Sequence, residues 1–187
     1  MDAPRYLGNH FLIALPSMED PNFSRGVTLV CQHTAEGAMG ILVNRLSDYL
    51  LGDVLAQMNI RTDIEALASA AVLVGGPVQP ERGFVLHTPG ASWDSTYVIS
   101  SSLSLTTSRD VLEAMAQGEG PAQSVVALGY AGWGEGQLET ELQDNAWLTV
   151  GVDSAILFST PVEQRWMSAA RLMGVDVTLL TAYAGHA

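Results

Sequence analysis

The sequence contains no lysine; its eight basic residues are all arginine, at positions 5, 25, 45, 61, 82, 109, 165 and 171. A Walker A phosphate loop, a Schiff-base amine, a kinase-type strand lysine and a Ser–Lys dyad each need the missing amine, so all four are excluded. Cysteine is nearly absent as well. Cys31 stands alone, which rules out an intrachain disulfide and a cysteine-rich zinc site. Long apolar runs are missing too. The longest weakly apolar stretch, Ala66 to Gly76, falls far short of the ~20 residues of a bilayer span. Phe11 to Leu15 follows Asn9 and His10 rather than a basic segment, unlike a secretory signal. The expectation is a soluble cytoplasmic protein with no membrane contact.

Charge is scarce and one-sided. Eight basic and 20 acidic side chains give a net charge of −12, yet charged residues make up only 15% of the chain against 48% hydrophobic. An average domain carries roughly 25% charged residues, and a disordered chain would need more charge and less apolar material. One domain over residues 1–187 with one core is the expectation at this length. The arginines are spread almost evenly and form no basic cluster of the kind that releases counterions from a nucleic acid. Direct nucleic-acid binding is therefore not expected.

Glycine, with 18 residues, punctuates the chain. FLIAL (11–15) reads as a buried strand closed by Pro16. GVTLVCQH (26–33) and AMGILVN (38–44) flank a turn-like Thr34–Gly37 and predict an antiparallel hairpin. The second of these is apolar on both faces, which marks a central strand. Leu51, Val54, Leu55 and Met58 follow helical spacing. AVLVGG (71–76) and RGFVLH (82–87) read as a strand pair, and TYVISSSLSL (96–105) as extended chain. Ser108 opens a helix with Val111, Leu112 and Met115 inside and Gly118 as its stop. SVVALGYAG (124–132) is a strand running into a glycine-rich turn, followed by a helix over 137–145. AWLTV (146–150) and ILF (156–158) are short apolar runs. Thr160-Pro161-Val162-Glu163 predicts a capping box and a helix to Gly174 with Trp166, Ala170 and Met173 buried. Short strand-to-strand turns favour α+β over doubly wound α/β.

Several groups are candidates for chemistry. GYAGWGEGQLETEL (129–142) lies where a phosphate cradle would sit, but it never satisfies G-x-G-x-x-G, and Glu135, Glu139 and Glu141 repel an anion. Two readings remain: a tight turn with Trp133 as a wedge, or a recognition surface offering the Trp133 indole and the Gln137 amide. Glu135, Glu139, Glu141 and the following Asp144 read as a solvated helix face. His10, His33, His87 and His186 form no paired motif, although His33 and His87 both end strands and would make a metal site if they converged. The alternative is that each imidazole satisfies a backbone carbonyl. No G-x-S-x-G elbow exists. Cys31 shares a strand face with Val27 and Leu29, the pattern of a core thiol. Asn44-Arg45 leaves a strand where Gly75-Gly76-Pro77 closes another. If these ends meet, a guanidinium beside exposed amides makes a small anion or carboxylate site. The competing reading is an arginine bracing a loop through its carbonyls.

FLIALP (11–16), HTAEGAMGILVNR (33–45), GGPV (75–78), RGFVLH (82–87), SRDVLEAMAQGEGP (108–121) and GYAGWGEGQLETEL (129–142) in this order resemble the AlgH/YqgE family of bacterial proteins. The match runs nearly end to end, with one departure at Leu46, where the family usually has proline after Asn-Arg, so the loop leaving Arg45 is expected to differ. The resemblance implies an α+β fold of mainly antiparallel, bifurcated, barrel-like sheets packed with several short helices. It also implies a cytosolic location and no established enzymatic activity; no cofactor or metal is expected from the residues themselves. Some members are named as regulators of alginate gene expression, and the acidic charge directs any such role through a partner. By position, the family's characteristic residues here are His33, Glu36, Asn44, Arg45, Gly75, Gly76, Arg82, His87, Trp133, Gly134 and Gln137, with no assigned role.

Together these readings give a non-catalytic binding or regulatory protein. Its expected surface is one shared face of His33, Asn44, Arg45, Gly75, Gly76, Trp133, Gly134 and Gln137, taking a protein partner or a small anionic ligand. The competing expectation is a small metal-dependent or hydrolytic enzyme using His33, His87 and nearby carboxylates.

Overall fold

The computed structural model describes residues 6–174 apart from positions 17, 19 and 22. The first half runs β1 (His10–Ala14), β2 (Val27–Thr34), β3 (Gly37–Leu42), β4 (Leu46–Leu50), α1 (Leu51–Gln57), α2 (Glu65–Ala68) and β5 (Ala71–Val74). The second half runs β6 (Val78–His87), β7 (Thr96–Ser100), β8 (Leu103–Thr106), α3 (Arg109–Ala116), β9 (Ser124–Trp133), α4 (Gln137–Gln143), β10 (Trp147–Gly151), α5 (Ser154–Phe158) and α6 (Arg165–Arg171). Among the described residues all strand pairs are antiparallel except β5 with β9. The fold is α+β, as the sequence indicates.

β9 divides the sheet. Its first half pairs with β5 at Val126–Leu128 and its last three residues pair with β3 at Ala131–Trp133. A strand has two edges, and β6 occupies the other edge along Ser124–Tyr130. β3 and β5 therefore share one edge end to end, and the sheet forks between them into two wings that curl into a half-barrel. One wing continues β3-β2-β1-β10; the other is β5 with β4.

The fork forces a crossing. β5 lies on one edge of β9, and Val78 at the start of β6 pairs with Tyr130 on the opposite edge. Gly75, Gly76 and Pro77 must pass over β9 to connect them, backbone against backbone. A Cβ at Gly75 would collide with the Gly129 carbonyl, one at Gly76 with the Tyr130 peptide, and one at Gly129 with the Gly76 carbonyl. Gly129 also has φ +80°, where a side chain is strained. Gly75 N–H donates to the Leu128 carbonyl at 2.7 Å, and the Gly75 carbonyl accepts Leu42 N–H at 2.7 Å, tying both wings to the crossing.

Apolar side chains on both faces of the strands follow from packing on both sides. Phe11 and Ile13 of β1 join the core that contains Leu29, Leu86, Leu157 and Trp166, while Leu12 and Ala14 join the one beneath α4. A third cluster, under α1 and α3, holds Leu51, Leu55, Val72, Val111, Leu112 and Val126. The helix expected from Leu51 and Leu55, and the one opened by Ser108 and closed near Gly118, both form.

Three local expectations are corrected and one is refined. β5 and β6 do not pair with each other, because β9 lies between them. Residues 96–105 are extended as expected, and a turn at Ser101-Ser102 folds them into a β7–β8 hairpin. Leu46–Leu50 is a strand, not a loop leaving Arg45. Finally, Thr160 makes no capping box: its hydroxyl donates to the Ala155 carbonyl at 3.1 Å, closing α5, and residues 162–164 form a 3-10 turn before α6.

The crossing predicts a graded glycine series in urea unfolding. Gly129→Ala combines backbone collision with positive φ and should cost about 3 kcal/mol or more. Gly136→Ala, at φ +73° with nothing within 4 Å, should cost about 1 kcal/mol, and Gly83→Ala, in open space, less than about 0.5 kcal/mol. Equal costs at positions 129 and 136 would mean that dihedral strain alone matters at the fork.

Candidate binding site

Asn44 and Arg45 turn the corner from one wing to the other, and their polar groups face inward. Asn44 Oδ1 accepts Val27 N–H at 2.8 Å and Nδ2 donates to the Arg25 carbonyl at 2.9 Å. Arg45 Nη1 and Nη2 donate to the carbonyls of Pro21 and Ser24 at 2.5 and 2.6 Å. The pair braces the loop before β2, which is the second of the two readings open from sequence. Phe23, on that loop, lies against Trp133 and Trp147 with ring centroids 6.3 and 5.6 Å away.

Trp133 is 6% exposed and packs edge-on to Trp147. Both indole N–H groups donate to Glu141 Oε1, at 3.3 and 3.0 Å. Gln137 completes the arrangement, accepting Gly134 N–H at 3.0 Å and donating to Glu141 Oε2 at 3.1 Å. The expected shared face is therefore corrected in its geometry. Among the described residues the Phe23 loop links the Arg45 corner to the Trp133 turn, Gly75 and Gly76 lie buried at the crossing, and Gly134 and Gln137 stay exposed, so the eight residues do not form one continuous face.

The two strand-end histidines do not converge. His33 Nδ1 accepts Leu7 N–H at 2.9 Å, so Nε2 carries the proton and donates to Glu139 Oε1 at 2.6 Å. His87 Nδ1 donates to the Thr88 carbonyl at 2.9 Å, leaving Nε2 to accept the Thr106 hydroxyl at 2.6 Å. Through its neighbour Ala38, His33 belongs to the Trp133 end of β9, while His87 pairs with Ser124 at the other end. The ten-residue strand between them spans roughly 30 Å. A site combining His33 with His87 is thereby corrected. No group of three His, Cys, Asp or Glu among the described residues is placed to hold a metal. His10 bonds the Gly8 carbonyl, and His186 lies outside the described residues. The Glu139 contact with His33 was hidden in sequence by a separation of 106 residues.

A concavity with a mainly apolar floor and a mixed polar rim draws mostly on residues outside those candidates. It is a cleft of about 660 Å³ lined from β4, α1, β5, β6, β8, α3 and β9. Val54, Met58, Val85, Leu112, Val126 and Leu128 form its apolar floor. Along one lip stand Leu46, Tyr49 and Val74, which are 59, 46 and 37% exposed. Arg82 and Arg109 line it as well: Arg82 lies 5.3 Å over the Phe84 ring, and Arg109 pairs with Glu113 at 3.2 Å. Of the family-pattern residues only Arg82 reaches this cleft. No sequence motif announced it, because seven separate elements each contribute one or a few residues.

A family model described as AlgH-like matches residues 11–178. The chain belongs to the AlgH-like family. A UPF0301 protein of Methylococcus capsulatus is 55% identical over 181 residues, covering 97% of this chain and 96% of that protein. One from Stenotrophomonas maltophilia is 57% identical over 183 residues, covering 98% and 97%. The solution structure of the AlgH protein from Pseudomonas aeruginosa superposes with a TM-score of 0.81 at 49% identity, over 100% of this chain and 99% of that one. A crystal structure from Corynebacterium diphtheriae, at 19% identity, a TM-score of 0.74 and 97% and 94% coverage, shares the fold. Among the described residues of this AlgH-like chain, no helix is long and apolar enough to cross a membrane.

Cys31 fits a structural role in the AlgH-like core. It is buried with Val27 and Leu29, and desolvation holds its thiol pKa well above the ordinary value, so the reactive thiolate is suppressed. Thiol titration at pH 8 should therefore give no fast reaction with the native protein and one full equivalent after unfolding. Prompt labelling of the folded chain would contradict this assignment.

Proposed function

We propose that this AlgH-like protein is a non-catalytic binding protein that receives apolar side chains of a protein partner in the cleft between β4 and α3. One observation carries the reading: exposed Leu46, Tyr49 and Val74 line up along the lip of an apolar-floored cleft. A small ligand fills a pocket and has no use for an apolar lip left in water, whereas a protein partner covers floor and lip together. Arg82 and Arg109 supply a polar border, the usual companion of an apolar binding centre. Any regulatory role then passes through that partner, in keeping with a chain of net charge −12 and no basic cluster.

A photo-crosslinking residue tests the proposal when placed at Tyr49 and, as reference, at Ser102, an exposed turn position outside the cleft. In living cells position 49 should give a discrete protein adduct that position 102 does not. Leu46→Asp with Val74→Asp, both exposed and expected to change stability by less than about 0.5 kcal/mol each, should reduce that adduct by about ten-fold. The same adducts from both positions, or an adduct indifferent to the double substitution, would overturn the cleft as the binding site.

A further inference from the structure

The two faces of β6 look into different parts of the molecule. Val85 floors the partner cleft, whereas Phe84 joins the core that contains Leu157 of α5 and Trp166 of α6. Ile41 of β3 and Leu86 of β6 lie inside that core. Two residues along the same faces, toward the Trp133 end of β9, Met39 and Phe84 reach a second cleft of about 690 Å³. That volume is within the usual range of a small-molecule pocket, roughly 300–1,000 Å³.

Phe84, Tyr97 and Tyr130 line this cleft with aromatic side chains, Phe84 and Tyr130 meeting edge to face at 5.7 Å. Met39 adds a thioether, which packs well against ring edges. Thirteen residues line the cleft and none is Asp or Glu, in a chain with 20 acidic side chains. Arg82 is its one charged residue. The guanidinium carbon lies 5.3 Å from the centroid of the Phe84 ring, which places the charge on this face of β6 and not over Val85. Its Nη1 donates to Gln79 Oε1 at 3.4 Å, and among the described residues it makes no ion pair. The partner cleft differs in charge, because Asp48 and Glu81 line it beside its arginines.

We infer that this second cleft binds a small aromatic carboxylate, its anionic group on Arg82 and its ring among Phe84, Tyr97, Tyr130 and Met39. Ring–ring contacts in offset or edge geometry favour an aromatic body over a saturated one of the same size. A guanidinium fork suits a carboxylate, and with no acidic residue lining the cleft nothing there competes for it. A neutral ligand forgoes the cation, and an inorganic anion forgoes the rings. The two clefts lie on opposite faces of β6, so this site stands whether or not the other receives a protein.

Titrating the full-length protein with 2-naphthoate while following ¹H–¹⁵N resonances tests the site. Saturable shifts are expected at the Met39 and Gly132 amides and at the Gln32 side-chain amide, all of them residues of this cleft. The uncharged counterpart 2-naphthamide should bind about five-fold more weakly, the size of one partly exposed ion pair. Decahydro-2-naphthoate, the saturated counterpart, should bind about three-fold more weakly, and inorganic phosphate should give no saturable shift at these positions. Arg82→Gln, an exposed substitution whose folding its own spectrum verifies, should weaken 2-naphthoate by about five-fold. Should that variant not fold, the acid–amide comparison on the unaltered chain decides. Equal affinity for acid and amide, equal affinity for the aromatic and saturated acids, or no saturable shift would each overturn the assignment. Shifts gathered instead at Val54 and Arg109, in the partner cleft, would overturn it as well.

Discussion

The architecture rests on a bare backbone crossing. Two consecutive glycines pass over β9 at Gly129–Tyr130, where any Cβ would meet a peptide group. That passage lets the chain leave β5 on one edge of β9 and begin β6 on the other. It also lets β3 and β5 share an edge, which creates the two wings. The Gly75 peptide bonds β9 on one side and the end of β3 on the other, so the crossing anchors all three strands. Hydrophobic burial supplies most of the driving force for a core of this kind, but it is indifferent to topology; the crossing selects this one.

This account gives the family motifs a physical meaning. GGPV and GYAG are the two partners of the crossing. Asn44-Arg45 braces the loop whose Phe23 covers the Trp133–Trp147 pair, and Glu141 collects both indole N–H groups. His33 fastens α4 through Glu139. Each motif joins parts of the chain that are remote in sequence, and each is satisfied within the protein. The cleft, by contrast, is lined largely by residues outside those motifs.

What was legible in sequence divides along the same line. Strands such as β2 and β3, and helices such as α1 and α3, were readable because alternation and i, i+3, i+4 spacing are local consequences of having one buried face. The core role of Cys31 and the bracing role of Arg45 were among the readings the residues allowed. β4 escaped because Leu46-Ser47-Asp48-Tyr49-Leu50 lies mostly exposed and lacks clean alternation. The fork was expected only through the family resemblance, because edge sharing on β9 is a relation among three strands, with no signature in any one of them. Thr160 misled because the same hydroxyl that suits an N-cap also suits the carbonyls at the end of the preceding helix. The expected metal pair failed for a plain geometric reason: two strand-end histidines were placed at opposite ends of one long strand.

Native-state hydrogen exchange at the Gly75 and Leu42 amides tests the crossing most directly. If the crossing holds the wings together, both amides exchange only through global unfolding, with an opening free energy equal to that from urea denaturation. The short helix α2, which has no buried residue, should open well below that value. Exchange of Gly75 and Leu42 through low-energy local opening, while the β9 amides stay fully protected, would contradict the account.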